Sequence, residues 1–391
     1  MQLSVIILNY NVRYFLELCV QSVQDALRGI DGEIIVVDNK SPDDSCAMMR
    51  ERFPHVTLIE NKDNSGFPKG NNIGVAAAKG KYICILNPDT VVSNDTFTKV
   101  LAFAERQQDL GIIGVKLIDG RGNFLPESKR GVPTPWVSVT KIGALYKLFP
   151  KNKLFNRYYA QHLDKNETGK TEILVGAFMV MEREQYLAVG GFDEDCFMYS
   201  DDIDLSYMIL KRGLNNFYFH ETSVIHYKGE STVKDGMYMK RFREAMQFFY
   251  KKHFRSSPVF DVFMRAGALL FAMVKRNKKA PLIVPDHYLL LSNNEVLRKT
   301  LESKLQKMVL MVSDYKENAV ISQTFSNAGV CEVVFDNELI SYTEITSFME
   351  HYASPKRTFK IRPAVTSFIV GSNSSNDRGE VVAFELATDI K

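Results

Sequence analysis

From residue 3 to about 118 short apolar runs recur: Leu3–Leu8, Glu33–Val37, Val56–Glu60, Tyr82–Leu86 and Ile112–Leu117, separated by stretches of helical period or by polar loops. Strand-length runs alternating with helix-length stretches indicate βαβ units, so a mainly parallel sheet is expected. In such a sheet ligands bind beyond the carboxyl ends of the strands. The polar residues right after each run therefore carry the interest: Asn9, Tyr10 and Asn11, Asp38 and Asn39, Asn61 to Gly66, and Asn87 to Asp89.

Residues 119–172 break this rhythm with Pro126, Pro133, Pro135, Pro150 and the single tryptophan, Trp136, and read as an irregular excursion over the sheet edge. Then EILVGAFMVM reads as a strand, Asp201–Arg212 as a helix, and Asn216–His220 and Ser223–Tyr227 as two short strands, closing a first domain near residue 255. In residues 257–279, Asp261 and Arg265 are the only charges between Pro258 and Val274, and lysines and arginines flank the run on both sides. A bilayer span needs roughly 20 apolar residues. The 256–294 stretch is therefore expected to be an amphipathic helical connector lying at a membrane surface, against the competing reading of a helix buried on the first domain. Residues 295–391 read as a small α/β unit of unknown role, with strand-like runs at Met308–Val312, Cys331–Phe335, Ser367–Val370 and Val381–Phe384.

Composition narrows the class further. The chain has 391 residues, 45% hydrophobic and 24% charged, which is room for about two or three globular domains. A net charge of only +3 gives no general case for a nucleic-acid partner, and none is expected. The start, MQLSVIILNYN, has no basic n-region and too short an apolar run for a signal peptide, so a cytoplasmic protein is expected, peripheral at the inner face of the membrane if 257–279 docks there. Cys19, Cys46, Cys84, Cys196 and Cys331 stand singly and read as reduced core residues.

Four stretches can carry chemistry. In VVDNKSPDDS, Asp38 ends a buried run, where a carboxylate can accept an N–H from a planar base such as uracil or thymine; a turn acid is the competing reading. NKDNSGFPKGNNIG, Asn61 to Gly74, gathers asparagines, glycines and Pro68 at a strand-to-helix junction. There Gly66 allows positive φ, Pro68 suits a first helical position, and the following N–H groups can face a diphosphate with Lys69 adding charge. The spacing is not that of a Walker A loop. In ILNPDT, Asp89 points beyond the sheet and fits a Mg²⁺ or Mn²⁺ ion that bridges phosphates with one or two protein carboxylates. MYSDDIDLSYMILKRG places Asp201, Asp202 and Asp204 ahead of the apolar stripe Ile203, Tyr207, Leu210 and Leu214. Helix-start chemistry accounts for these acids on its own.

In order along the chain, SVIILNYN, VVDNKSPDDS, NSGFPKGNN, ILNPDT, VGAFMVM, GGFDEDCFMYSDDIDL and VIHYKGEST resemble the inverting family-2 glycosyltransferases, in particular their rhamnosyltransferase-like bacterial branch, over about residues 1–255. The resemblance implies an α/β chain with the GT-A (nucleotide-diphospho-sugar transferase) fold, a mainly parallel central sheet and a small C-terminal α/β domain. It implies transfer of a sugar from a dTDP- or UDP-linked donor, rhamnose being one candidate, to a hydroxyl of a saccharide or lipid-linked saccharide in surface polysaccharide synthesis. By position, Asp38 resembles the base-reading acid. Asn9, Tyr10, Asn11, Asn39, Asn64, Gly66, Lys69, Asn71, Asn72 and Asn87 line the nucleotide-sugar site, and Trp136 and Gly176 the acceptor side. Asp89 and His226 resemble the metal ligands, with Asn87 standing where the first D-x-D acid is usual. Asp202 resembles the catalytic base and Asp201 its neighbour. The alternatives are a catalytically inactive nucleotide-sugar-binding relative and a sugar-nucleotide pyrophosphorylase, which would need a glycine-rich basic loop where NYNVRYF stands.

Overall fold

The computed structural model describes residues 1–134, 136–137, 140, 157–229, 236–254, 283–315, 321, 324–325, 329–374 and 378–385. The residues 257–279, on which the membrane-surface expectation rests, lie outside them; among the described residues no helix is long and apolar enough to cross a membrane.

The first sheet is built as the alternation predicts. Strands β1 (Leu3–Asn9), β2 (Gly32–Asp38), β3 (Thr57–Glu60) and β4 (Tyr82–Leu86) run parallel, in the order β3-β2-β1-β4. The crossover helices are α1 (Arg13–Ala26), α2 (Ser45–Arg52) and α3 (Gly66–Ala77). In α1, Phe15, Leu16, Cys19, Val20 and Val23 recur at helical spacing and are buried. Burying each such side chain contributes about 1.5–3 kcal/mol.

Beyond β4 the sheet becomes mixed. It continues through β5 (Thr90–Val92), helix α4 (Thr96–Ala104), β6 (Leu110–Ile118), β7 (Gly169–Thr171), β8 (Phe178–Glu182) and, after helices α5 (Arg183–Ala188) and α6 (Asp201–Lys211), β9 (Asn215–His226). The order β4-β8-β6-β9-β5 has β8 antiparallel to β4 and β6, with β5 and β7 antiparallel to β9. Only the second half of EILVGAFMVM enters the sheet as β8. The two short strands expected from 216 to 227 are one, β9; the polar pair Glu221–Thr222 marks a register jump against β6, from Val115↔Phe219 to Lys116↔Ser223, and not a turn. Helix α7 (Gly236–His253) then packs on α6, where Asp204 receives Lys252 Nζ at 2.8 Å and His253 Nε2 at 2.5 Å.

A second sheet follows. Its strands β10 (His287–Leu291), β11 (Val309–Val312), β12 (Cys331–Asp336), β13 (Arg357–Arg362), β14 (Phe368–Gly371) and β15 (Glu380–Ala383) lie in the order β11-β10-β12-β13-β14-β15, the first four parallel. Helices α8 (Glu295–Leu305) and α9 (Tyr342–His351) cover it. The central strand β10 lies inside the stretch read as connector.

The two sheets share a core. Val12, Phe15, Leu18, Val91, Ile118, Ile225 and Tyr227 of the first unit cluster with Tyr342, Ile345, Met349, Phe368 and Val370 of the second. The Asp119–Asn123 turn is pressed onto the second unit so closely that a Cβ on Gly122, at φ +78°, would stand 2.1 Å from the Met349 carbonyl oxygen. Asn94 and Thr343 exchange backbone-to-side-chain hydrogen bonds of 2.9 and 3.1 Å across the same boundary.

Candidate active site

Strand register brings the sequence-predicted polar residues to one edge. Asn9 and Asp38 are direct partners at the ends of β1 and β2. Asn9 Nδ2 donates to Asp38 Oδ2 at 2.7 Å, and the Ser41 amide and hydroxyl hold the same carboxylate at 2.7 and 2.6 Å. Asn11 adopts φ +59° in the following loop, beside the more exposed Tyr10.

Asn39 knits the next loop. Its amide donates to Asn64 Oδ1 and the Gly66 carbonyl and accepts from Asn61 Nδ2 at 2.7 Å. Gly66 has the expected positive φ, +83°, and a Cβ there would meet Phe197 at 2.8 Å. One expectation for this junction is corrected. Pro68 is the third residue of α3 and not the first, a position that still lacks an intrahelical N–H bond. The Phe67 amide, ahead of Pro68, donates to the Phe197 carbonyl at 3.1 Å and ties the helix start to the 196–199 loop. Asn72 is turned to structural work: its side chain bonds Phe192, Glu194 and Tyr186 and secures the GGFDE turn. Asn71 Nδ2 donates back to Phe67 O, while its Oδ1 is buried without a hydrogen bond; Lys69 is exposed.

The meeting of Asp89 and His226, far apart in sequence, has a plain cause. Strands β5 and β9 pair antiparallel with Thr90 opposite His226, so the residue before Thr90 is carried beside the imidazole. His226 Nε2 lies 3.4 Å from Asp89 Oδ1 and 3.3 Å from Asn87 Nδ2, and Asp89 and His226 are only 4% and 6% exposed. Asn87 Oδ1 and His226 Nδ1 are buried without hydrogen-bond partners. An imidazole nitrogen at this distance from a carboxylate oxygen either carries a proton or shares a cation with it. Adjacent ligands on an octahedral cation with bonds of about 2.1 Å stand about 3 Å apart, which this pair approaches. Among the described residues no group of three or more His, Cys, Asp or Glu side chains gathers, so a cation here would draw its other ligands from phosphate and water. His220, by contrast, is taken up by Thr168 at 2.8 Å.

The acid pair sits at the N-terminus of α6, where the helix dipole and free amides favour carboxylates. Asp202 Oδ2 accepts from Arg130 Nη2 at 2.5 Å and from the Gly176 amide at 3.2 Å; Oδ1 has no hydrogen bond among the described residues. Asp201 is buried with Oδ1 unpartnered, and burial, reinforced by the charge of Asp202, pushes its carboxyl up to about 7. Gly176 thus touches Asp202, whereas Trp136 stands half-exposed. Arg130 escaped the sequence reading, since one arginine in the proline-rich excursion carries no spacing signal.

A sheet of this order, with its polar residues collected at one edge, belongs to the α/β domains that hold a ligand across their strand ends. Sequence comparison is more specific: residues 4–189, just under half of the chain, match Glycosyl transferase family 2, and the mixed α/β sheet agrees with the GT-A fold expected from the resemblance. Its relatives include the N-acetylglucosaminyl-diphospho-decaprenol L-rhamnosyltransferase of Mycobacterium tuberculosis, 27% identical over 52% of this chain and 68% of that protein. Another is the rhamnosyltransferase WbbL of Escherichia coli, 24% identical over 59% of this chain and 86% of that protein. Among solved structures, a mannosyltransferase from Pyrobaculum calidifontis in complex with GDP-Man and Mn2+ aligns with TM-score 0.46 at 20% identity, covering 69% of each chain.

Proposed function

We propose that the chain is an inverting, divalent-cation-dependent glycosyltransferase that moves a sugar, with rhamnose the leading candidate, from a dTDP- or UDP-linked donor to a hydroxyl of a saccharide or lipid-linked saccharide acceptor. The observation that supports this most is the convergence of Asp89 and His226 at 3.4 Å at the same sheet edge as Asp38. The named activities of the two rhamnosyltransferase relatives support the sugar and the acceptor class.

In this reading Asn9 and Asp38 receive the base, the Asn39–Gly66 loop and Asn87 border the ribose and diphosphate, and Asp89 and His226 would hold the cation. A bound Mg²⁺ or Mn²⁺ supplies positive charge at the leaving diphosphate. Asp202, on the helix facing the site, takes the acceptor's hydroxyl proton while that oxygen bonds the anomeric carbon and the anomeric C–O bond to the diphosphate breaks, the electron pair leaving with the diphosphate. The base must approach the hydroxyl oxygen to about 3 Å. Asp201, whose carboxyl burial and the charge of Asp202 raise to about 7, adds less negative charge beside the base than an ordinary aspartate would.

Asp202→Asn tests the assignment: donor turnover is abolished while nucleotide affinity stays within a few-fold. Full activity in that variant overturns it, and pyrophosphate release by the wild type would indicate a pyrophosphorylase instead.

A further inference from the structure

We infer that Arg130 is a positioning residue for the base: together with the Gly176 amide it fixes one oxygen of Asp202 and leaves Oδ1 as the atom that takes the proton. The inference rests on the reading of Asp202 as the base. Both strong donors converge on Oδ2, Arg130 Nη2 at 2.5 Å and Gly176 N at 3.2 Å. A carboxylate held at one oxygen by two donors has its plane and its free lone pairs set in advance, which is what general-base geometry requires.

The holder is itself held. Arg130 and Ile173 exchange backbone hydrogen bonds of 2.9 and 2.8 Å, and Arg130 Nη2 also reaches the Leu174 carbonyl at 3.2 Å. One short stretch, 173–176, therefore sets the register of Arg130 and supplies the second donor through Gly176. The Arg130 and Asp202 side chains are each 12% exposed, so the pair lies where solvent screens it little.

The charge matters as much as the geometry. Two adjacent buried carboxyls on one helix turn oppose each other's ionisation, and a guanidinium in contact with one of them decides which is charged. Among the described residues the charged neighbours of Asp202 are Asp201 on its own helix and Arg130 across the gap. Around Arg130 stand Tyr158 and Glu127, the latter paired with Lys228. Burial opposes the charge on Arg130, and Asp202, Tyr158 and Glu127 together more than restore it, Asp202 first among them. The geometry sets the guanidinium against Asp202 and not against Asp201, whose carboxyl is raised by burial first and by the charge of Asp202 second.

The test compares Arg130→Met, Arg130→Gln and Arg130→Lys with Asp202→Asn, following donor turnover against pH and thermal melting of each variant. Arg130→Met is expected to lower kcat about 10- to 100-fold, less than the 10²–10⁴-fold a general base contributes, with donor KM little changed. The acidic limb of its pH profile moves to higher pH by about 1–3 units, the range by which a neighbouring cation favours an ionised carboxyl. Arg130→Lys restores most of kcat and the limb. Arg130→Gln keeps a donor without the charge and shows the same limb shift, which serves if the Met variant does not fold. An unmoved limb in folded Met or Gln variants overturns the inference, whether kcat is kept or lost, because a purely structural arginine would lower activity without moving it. Full activity of Asp202→Asn refutes the base assignment itself, a separate outcome.

Discussion

The molecule contains two parallel-stranded units, and their carboxyl-end edges differ in how polar groups are satisfied. In the second sheet the groups close on one another: Ser292 Oγ donates to Asp336 Oδ2 at 2.5 Å, and Arg362 Nη1 pairs with Asp336 Oδ1 at 2.9 Å while its Nε donates to the Thr366 carbonyl. In the first sheet valences stay open, with Asn9 Oδ1, Asn87 Oδ1, Asp201 Oδ1 and His226 Nδ1 buried and unpartnered. An unpaired buried polar atom costs about 1–3 kcal/mol, so four of them at one edge mean that the fold tolerates a cost which a ligand would remove. The closed edge reads as scaffold, the open edge as site.

Opposite responses to substitution would sharpen this contrast. Asp202→Asn should cost about 10²–10⁴-fold in turnover per folded molecule, over and above any stability lost when Arg130 is left without its anion. At the closed edge, Arg362→Met leaves Asp336 buried without its cation and should destabilise the chain by about 3–5 kcal/mol in denaturant unfolding, with turnover per folded molecule unchanged. If Arg362→Met instead removed activity without loss of stability, the second edge would be functional and the contrast would fail.

Asp201 gives a pH-dependent case. Its folded carboxyl titrates near 7, above the ordinary value of 3.8, so the neutral form favours folding and that contribution is lost as pH rises through about 7. Asp201→Asn, always neutral, should therefore melt higher than wild type above pH 7. The gap should shrink as pH falls from there toward 3.8, and an advantage that grew in acid would contradict the assignment. The smallest effect is expected at His220, whose partner is Thr168 and not the cation pair: His220→Gln should leave cation-dependent nucleotide binding unchanged in titration calorimetry.

Much of this was legible in the sequence because it follows from local pattern. Short apolar runs and polar strand ends located β1 to β4 together with Asn9, Asp38 and Asp89. Helix-start chemistry placed α6 with Asp201 and Asp202 in its first turn. What could not be read depended on pairing over distance. Thr90–Val92 is too short to signal a strand, yet its register opposite His226 is what joins the two cation-ligand candidates. Strand β13 went unread because polar residues alternate along it, and one of them, Lys360, is buried against Glu332 at 2.6 Å. Arg130 has meaning only once Ile173 and Asp202 stand beside it. The shared core around Tyr342 and Tyr227 likewise depends on two surfaces meeting, which no single stretch announces.

The account's central claim is that the open edge of the first sheet takes a nucleoside diphosphate sugar through a cation held by Asp89 and His226. A thermal-shift titration with UDP- and dTDP-sugars, with and without Mn²⁺, tests it on wild type and on His226→Ala, since a ligand that binds only the folded state raises its melting temperature. The account predicts a Mn²⁺-dependent rise in wild type that His226→Ala largely abolishes. An equal, Mn²⁺-dependent rise in both proteins, or no rise in wild type with any of these ligands, would contradict it.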